Sequence, residues 1–280
     1  MTEPFHIRTM SVADLALAVD WAAAEGWNPG LDDVAPFHAA DPDGYFMGFR
    51  GGTPVAAISV VNYGDRFAFL GFYIVAPGHR GEGHGLATWR AALAHAGDRT
   101  VGLDGVVDQQ ANYARSGFVL AGRNIRYAGR PEATGPRSPA VVPVAGEIVE
   151  AVVAYDRPFF AGPRERFLRP WLAPPRTALA YLRDGAVAGY GVVRRCRSGV
   201  KIGPLFADDE AVADALFAAL AAVHPGEEVV VDPPEQNAAA TAFAARHGLA
   251  PVFETARMYR GPAPVLPIGR TYGITTLELG

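Results

Sequence analysis

Arg80-Gly81-Glu82-Gly83-His84-Gly85 stands between the apolar run Phe67 to Val75 and the stretch Leu86 to Ala96, whose Trp89 and Leu93 share one helical face. Three glycines between a strand and a helix leave the main chain open to close approach by a ligand. The start of a helix adds unpaired N–H groups and partial positive charge, so the segment suits an anion such as a phosphate. A tight turn would use the same residues, and context has to separate the two readings. A dinucleotide fingerprint opened by Gly81 and Gly83 needs a third glycine where Leu86 stands, and a P-loop needs Lys followed by Ser or Thr. Neither pattern is met.

On the N-terminal side of the loop, Phe5 to Met10 reads as a short strand. Ser11 with Asp14 forms a capping-box pattern that opens a helix carrying Leu15, Val19, Ala22 and Ala23 and ending at Gly26. Tyr45 to Arg50 and Val55 to Asn62 read as a hairpin about Gly51-Gly52. On the other side come a strand from Val101 to Val107, a short polar helix through Tyr113, a turn at Gly117 and a closing stretch to Tyr127. The order is βαβββαβαβ, an α/β architecture with a mixed (α+β) sheet.

Arg130 to Gly146 holds four prolines and two glycines with little periodicity before Val141, and reads as a linker. Beyond it the order recurs: a helix from Glu147 to Tyr155, strands from Ala178 to Arg183 and Ala186 to Arg195 about Asp184-Gly185, and a strand from Val200 to Phe206. A helix from Glu210 to Val223, a strand from Glu228 to Val231, a helix from Asn237 to Arg246 and strands ending near Tyr259 and at Tyr272 to Leu279 complete it. Gly52-Thr53-Pro54-Val55-Ala56 matches Gly185-Ala186-Val187-Ala188, and Tyr127-Ala128-Gly129 matches Tyr259-Arg260-Gly261, in corresponding places. Two tandem units are expected, 1–130 and 146–280, joined by 131–145.

A chain of 280 residues with 50% hydrophobic content supports two packed cores. Its 25 Lys plus Arg against 29 Asp plus Glu, net −4 without long runs, leave no basic footprint, so no nucleic-acid partner is expected. No apolar stretch approaches a membrane span, and the first ten residues lack the apolar core of a signal segment. The single Cys196 offers no intramolecular disulfide and the histidines do not cluster in sequence, so a reducing, cytoplasmic setting and no metal are expected. A homodimer is compatible with all of this.

The loop resembles the pyrophosphate-binding signature of GNAT acetyltransferases: Arg or Gln, two residues, Gly, one residue, then Gly or Ala. Arg80, Gly83 and Gly85 match in order, with Gly81 and His84 between them. Tyr73-Ile74-Val75-Ala76-Pro77 is similar to the family's fourth strand, whose main chain pairs with the pantetheine amides of the cofactor. The resemblance implies a tandem-GNAT protein, each unit a twisted mixed sheet flanked by helices, that uses acetyl-CoA as co-substrate and transfers acetyl to a primary amine, on a small molecule or a peptide, in a ternary complex. Tyr113, four residues before Gly117-Phe118, resembles the family's tyrosine general acid near the CoA sulfur. Where the family often carries Asn seven residues earlier, this chain has Val106; Asn112 and Gln110 are the polar residues at hand.

Amine acceptors favour nearby carboxylates, and Glu25, Asp32, Asp33 and Asp104 are the candidates. Asp104, on a strand expected beside the reaction centre, is kept as a base or orienting group, while Trp27 and Asn28 occupy the region resembling the family's acceptor side. The second unit has Ala207-Asp208-Asp209-Glu210 in place of the glycine loop and Ala244 in place of the tyrosine, so it is expected to be catalytically silent. A CoA-binding sensor without transfer is the other reading, and Tyr113 favours the enzyme.

Overall fold

A computed structural model describes residues 3–132 and 138–280. The first half contains β1 (Phe5–Thr9), α1 (Val12–Ala24), α2 (Val34–Ala40), β2 (Tyr45–Arg50), β3 (Thr53–Tyr63), β4 (Phe67–Val75), α3 (His84–Ala96), β5 (Thr100–Val106), α4 (Gln110–Arg115) and β6 (Val119–Gly129). The second holds β7 (Val141–Pro143), α5 (Glu147–Asp156), α6 (Glu165–Leu172), β8 (Thr177–Arg183), β9 (Ala186–Arg195) and β10 (Val200–Ala207). It closes with α7 (Glu210–Ala221), β11 (Val229–Val231), α8 (Ala238–Arg246), β12 (Ala250–Arg260) and β13 (Thr271–Gly273). The capping box that opens α1 is formed on both sides, Ser11 and Asp14 each receiving the other's backbone N–H.

These strands make one mixed sheet of 13 among the described residues, in the order β1-β2-β3-β4-β5-β12-β6-β11-β10-β9-β8-β7, with β13 paired to β10. Pairing is antiparallel except for β4 with β5 and β10 with β11. One long strand of each half is exchanged: β12 lies on β5, placing Arg257 opposite Asp104, while β6 lies on β11, placing Gly129 opposite Val229. The two exchanged strands pair with each other.

The packing repeats this sharing. On one sheet face α1 and α2 of the first half and α5 and α6 of the second cover a common core in which Phe37, Phe167 and Trp171 stack. On the other face α3 covers a core built on Trp89, Leu103 and Phe118, and α7 with α8 covers one built on Leu216, Phe217 and Phe243. Trp171 is fully buried and donates its indole N–H to Gly203 O at 3.0 Å, as a buried tryptophan requires.

Several elements depart from expectation. α2 and α6 were not anticipated, and α6 carries Pro170 inside it, a residue that argues against a helix when read locally. β7 falls within the stretch expected as linker and pairs with β8, while 133–137 of that stretch lie outside the described residues. The strand expected from Tyr272 to Leu279 is only β13. After Gly273 the chain leaves the ladder and crosses the sheet elements at close range, with the carbonyls of Ile274 and Thr275 against Gly203 and that of Glu278 against Gly71, where any side chain would collide.

Candidate active site

β4 and β5 pair from Phe67 with Thr100 to Leu70 with Leu103, and then part. The cause lies in β4, whose register against β3 shifts between Ala57 and Ser59 and whose Phe72 takes φ +50°. A bulky residue rarely adopts that conformation, at a cost of about 1–3 kcal/mol, and is kept there by its surroundings. Phe72 is buried and meets Phe37 edge-on at 5.7 Å. The parting opens a cavity of about 840 Å³, within the roughly 300–1,000 Å³ usual for small-molecule sites. Gly71 to Val75 form one wall and Leu103 to Gln109 another; Trp27, Arg80 and Tyr113 also border it. Past Leu70 the main chain of Tyr73, Ile74 and Val75 has no pairing with β5, which leaves it free to pair with an extended ligand.

The glycine loop leads from this wall into α3. Gly81 and Gly83 have φ of +83° and +85°, and nothing stands within 4 Å of where their Cβ atoms would be, so the loop is an open cradle that side chains would fill. Gly83 is the N-cap of α3 with no side-chain cap, leaving the first N–H groups of the helix for an anion. Gly85 serves packing instead: a Cβ there would sit 2.8 Å from the Tyr73 hydroxyl. Arg80 donates from Nε to Val75 O at 2.9 Å and pairs with Glu25. These features fit a pyrophosphate group. His84 stacks on Phe5 at 4.4 Å and lies 3.0 Å from Glu82, whose carboxylate also pairs with Arg50 at 3.0 Å. The expectation that the histidines stand apart is corrected here, because the two left-handed glycines turn the loop so that His79, Glu82 and His84 bring their ligand-capable atoms within 4.8 Å of one another.

Tyr113 stacks on Trp89, ring centroids 5.7 Å apart, and reaches the cavity across Gly105, where a Cβ would strike its ring. Burial, with a smaller contribution from Tyr73, pushes its hydroxyl up to about 12, so it keeps its proton throughout the neutral range. Asp104 lines the same cavity but its oxygens are engaged. Arg257 grips both at 2.7 and 2.6 Å, and Asn124 donates to Oδ1 at 2.8 Å. Burial pushes this carboxyl up, and the Arg257 guanidinium pulls it back. Asn112 is exposed, bonds to Gln109 and Arg115, and does not reach the cavity.

Trp27 does border it, on a loop held by residues of both halves. Trp27 O accepts from Arg126 at 3.0 Å and from Lys201 at 2.8 Å, and Leu31 N donates to Arg195 O. Burial, then the Arg126 charge, lowers Lys201 to about 8. Asn28, with φ +50°, exchanges two hydrogen bonds with the backbone of Ser198 and faces away from the cavity. Asp33 is fully buried between Arg176 and Arg194, at 3.4 and 3.3 Å, and both guanidinium groups lie 4.6 Å from the Trp171 ring. Phe253, Thr255, Leu277 and Glu278, all from the second half, reach the same cavity. Nothing in their spacing could have marked them, because the exchange of β12 carries Phe253 and Thr255 across and the path of the tail after β13 carries Leu277 and Glu278.

In the second half the equivalent groove is filled. β10 and β11 pair only from Val200 to Ile202, and β13 then joins β10 through Leu205 with Gly273 and Phe206 with Thr271. Asp209 caps α7 with its own carboxylate, accepting from Val212 N at 3.0 Å, where a phosphate would need those donors.

A parallel strand pair that splays beside a glycine-lined helix start is what the GNAT resemblance implies, and comparison with known proteins shows the family. Residues 14–118 match the acetyltransferase (GNAT) family and 152–273 an acetyltransferase (GNAT) domain. A holothin acyltransferase from Pseudoalteromonas sp. (strain SANK 73390) is 35% identical over 272 residues, 96% of this chain and 92% of that protein. A putative acetyltransferase from Pyrococcus horikoshii shares the fold with a TM-score of 0.84 at 24% identity, over 99% of this chain and 96% of that one. So does a tandem GNAT protein from the clavulanic acid biosynthesis pathway, with a TM-score of 0.64 at 19% identity, over 93% of this chain and 100% of that one. The chain belongs to the GNAT superfamily and is an acyltransferase with two GNAT domains, of a family whose co-substrate is an acyl-CoA. Among the described residues no helix is long and apolar enough to cross a membrane.

Proposed function

We propose that this chain transfers an acetyl group from acetyl-CoA to a primary amine by direct attack within a ternary complex, and that the acceptor is a small molecule of the kind its holothin-acylating relative uses. The observation that carries this reading is a cavity bordered by the open edge of β4, by Tyr113, and by Arg80, the first residue of the glycine cradle. In it Tyr73, Ile74 and Val75 offer main-chain partners to the pantetheine arm. Arg80, Gly81, Gly83 and the start of α3 at His84 and Gly85 hold the pyrophosphate. Tyr113 supports the leaving sulfur, Trp27 walls the acceptor, and Asp104 orients Arg257 beside it, since its engaged oxygens suit an orienting role better than a base. The volume of about 840 Å³ suits a thioester arm with a small acceptor. Cys196 is buried and burial pushes its thiol up, which fits work in a reducing compartment such as the cytoplasm.

The test is thiol release across a panel of acyl-CoA chain lengths and amines. Turnover should be fastest with acetyl-CoA and a small amine such as holothin. Faster turnover with long acyl chains, or with lysine side chains of intact proteins, would overturn the choice of acyl group or of acceptor. Acyl-CoA binding with no transfer to any amine would mark a sensor instead.

A further inference from the structure

Two side-chain oxygens on the cavity wall are buried without a hydrogen-bond partner, Thr255 Oγ1 and Glu278 Oε1. An unmet buried polar atom is costly and a charged one more so, so such atoms in a ligand cavity point to groups that a ligand satisfies. Glu278 is only 3% exposed. The other carboxylates on this wall are spoken for: Asp104 by Arg257, Glu25 by Arg80, and Glu254 by Arg123 at 3.0 Å, while Asp108 faces solvent.

Glu278 is also rigidly placed. Gly71 is the first residue of β4 beyond its last pairing with β5, and a Cβ there would strike the Glu278 carbonyl oxygen, so the C-terminal tail lies on the strand where the groove opens. Leu279 N donates to Thr276 Oγ1 at 2.9 Å, Gly280 N to Thr276 O at 3.2 Å, and Arg164 to Thr275 Oγ1 at 2.9 Å, which hold the tail on both sides of Glu278. Its charged and titratable neighbours are Arg126 on β6, Arg194 and Lys201 on β9 and β10, and Cys196 between those strands. Each cation has another partner: Arg126 grips Asp232 at 2.7 and 2.9 Å, Arg194 faces Asp33, and Lys201 donates to Trp27 O. None of them bonds to Oε1.

We propose that Glu278 binds the acceptor's amino group and takes its proton during acyl transfer, with the Thr255 hydroxyl completing the amine's hydrogen bonding. The inference rests on the amine-acylating reading above. As the amine nitrogen forms its bond to the thioester carbon, the N–H proton passes to the Glu278 carboxylate. The C–S bond breaks, its electron pair leaves with the thiolate under the Tyr113 hydroxyl, and the protonated Glu278 later releases its proton to solvent. The centre is then built from both halves, with the acyl carrier held by the first and the acceptor deprotonated by the second.

The experiment compares wild type, Glu278→Gln, Glu278→Asp and Thr255→Val, measuring kcat and KM for the best amine of the panel between pH 6 and 9, and acetyl-CoA binding by calorimetry. Glu278→Gln should lower kcat/KM for the amine roughly 10²-fold or more with acetyl-CoA affinity within about twofold. Glu278→Asp, which keeps the carboxylate at shorter reach, should recover part of the rate, and Thr255→Val should raise KM for the amine more than it lowers kcat. A Glu278→Gln enzyme with wild-type kcat/KM and pH profile, or one impaired only in acetyl-CoA binding, would overturn the inference alone. Should that variant fail to fold, a Glu278→Asp enzyme that binds acetyl-CoA yet equals wild type in rate would do the same. Failure of the wild type to acylate any amine would overturn the functional reading and this inference together.

Discussion

A tyrosine whose hydroxyl sits near 12 is a poor proton donor to a thiolate, whose conjugate acid lies near ~8.5; the transfer would run uphill by about 5 kcal/mol. The same hydroxyl is a good hydrogen-bond donor, because burial keeps its proton in place while the charge on sulfur grows. A hydrogen bond to a charged group is worth about 1.5–3 kcal/mol, a factor of roughly 10 to 10² in rate if it forms only as the C–S bond breaks. Tyr113→Phe keeps the ring stacked on Trp89 and removes only that bond. Its kcat should fall within that range, with acetyl-CoA affinity little changed and the shape of the pH profile below pH 9 retained, since Tyr113 does not titrate there. Steady-state kinetics beside a binding isotherm checks this. An unchanged kcat under conditions where chemistry limits the rate would return Tyr113 to a packing role beneath α3.

At the scale of elements, the two halves repeat one plan, and a short strand separates a ligand groove from a filled one. Past the last β10–β11 pair, β13 occupies the position that stays open past Leu70 in the first half. One acetyl-CoA per chain is therefore expected, abolished by Gly83→Val, whose β-branched side chain must take a left-handed φ and fill the cradle. Calorimetry showing two sites, or a Gly83→Val protein that binds as wild type does, would refute this. The loop, α3 and the hairpins were legible because glycine spacing, capping and apolar period all act within a dozen residues. α6 was hidden by Pro170, although its Phe167, Leu168, Trp171 and Leu172 are buried on one side. The filling of the second groove was hidden as well, since Thr271-Tyr272-Gly273 reads as a strand without revealing which strand it joins. Of the residues that border the cavity, Arg80 and Tyr113 could be singled out in the sequence and Glu278 could not, because it is 174 residues from Asp104 and meets the cavity only through the tail's path.

For the whole molecule the exchange of β6 and β12 makes the halves interdependent in a way that tandem repeats joined by a linker need not be. We propose that 1–130 and 146–280 are evolutionary and sequence units joined at 131–145, and not separate folding units. Residues 1–130 alone would lose β12 from the edge of β5, leave Asp104 buried without Arg257, and strip α5 and α6 from the core that Phe37 shares with Trp171. Removing one partner of a buried ion pair costs about 3–5 kcal/mol, and the lost core is added to a total stability of only about 5–15 kcal/mol. The 1–130 fragment should therefore be unfolded or aggregated through its open β5 edge. A protease site placed within 133–137 of the full chain should behave oppositely. After cleavage, the two pieces should co-elute, unfold in a single transition and keep acetyl-CoA binding, because both exchanged strands remain laced into the other piece. Size-exclusion chromatography and a denaturant titration of the cleaved protein would show it, and a soluble 1–130 fragment that binds acetyl-CoA with full affinity would prove the halves independent.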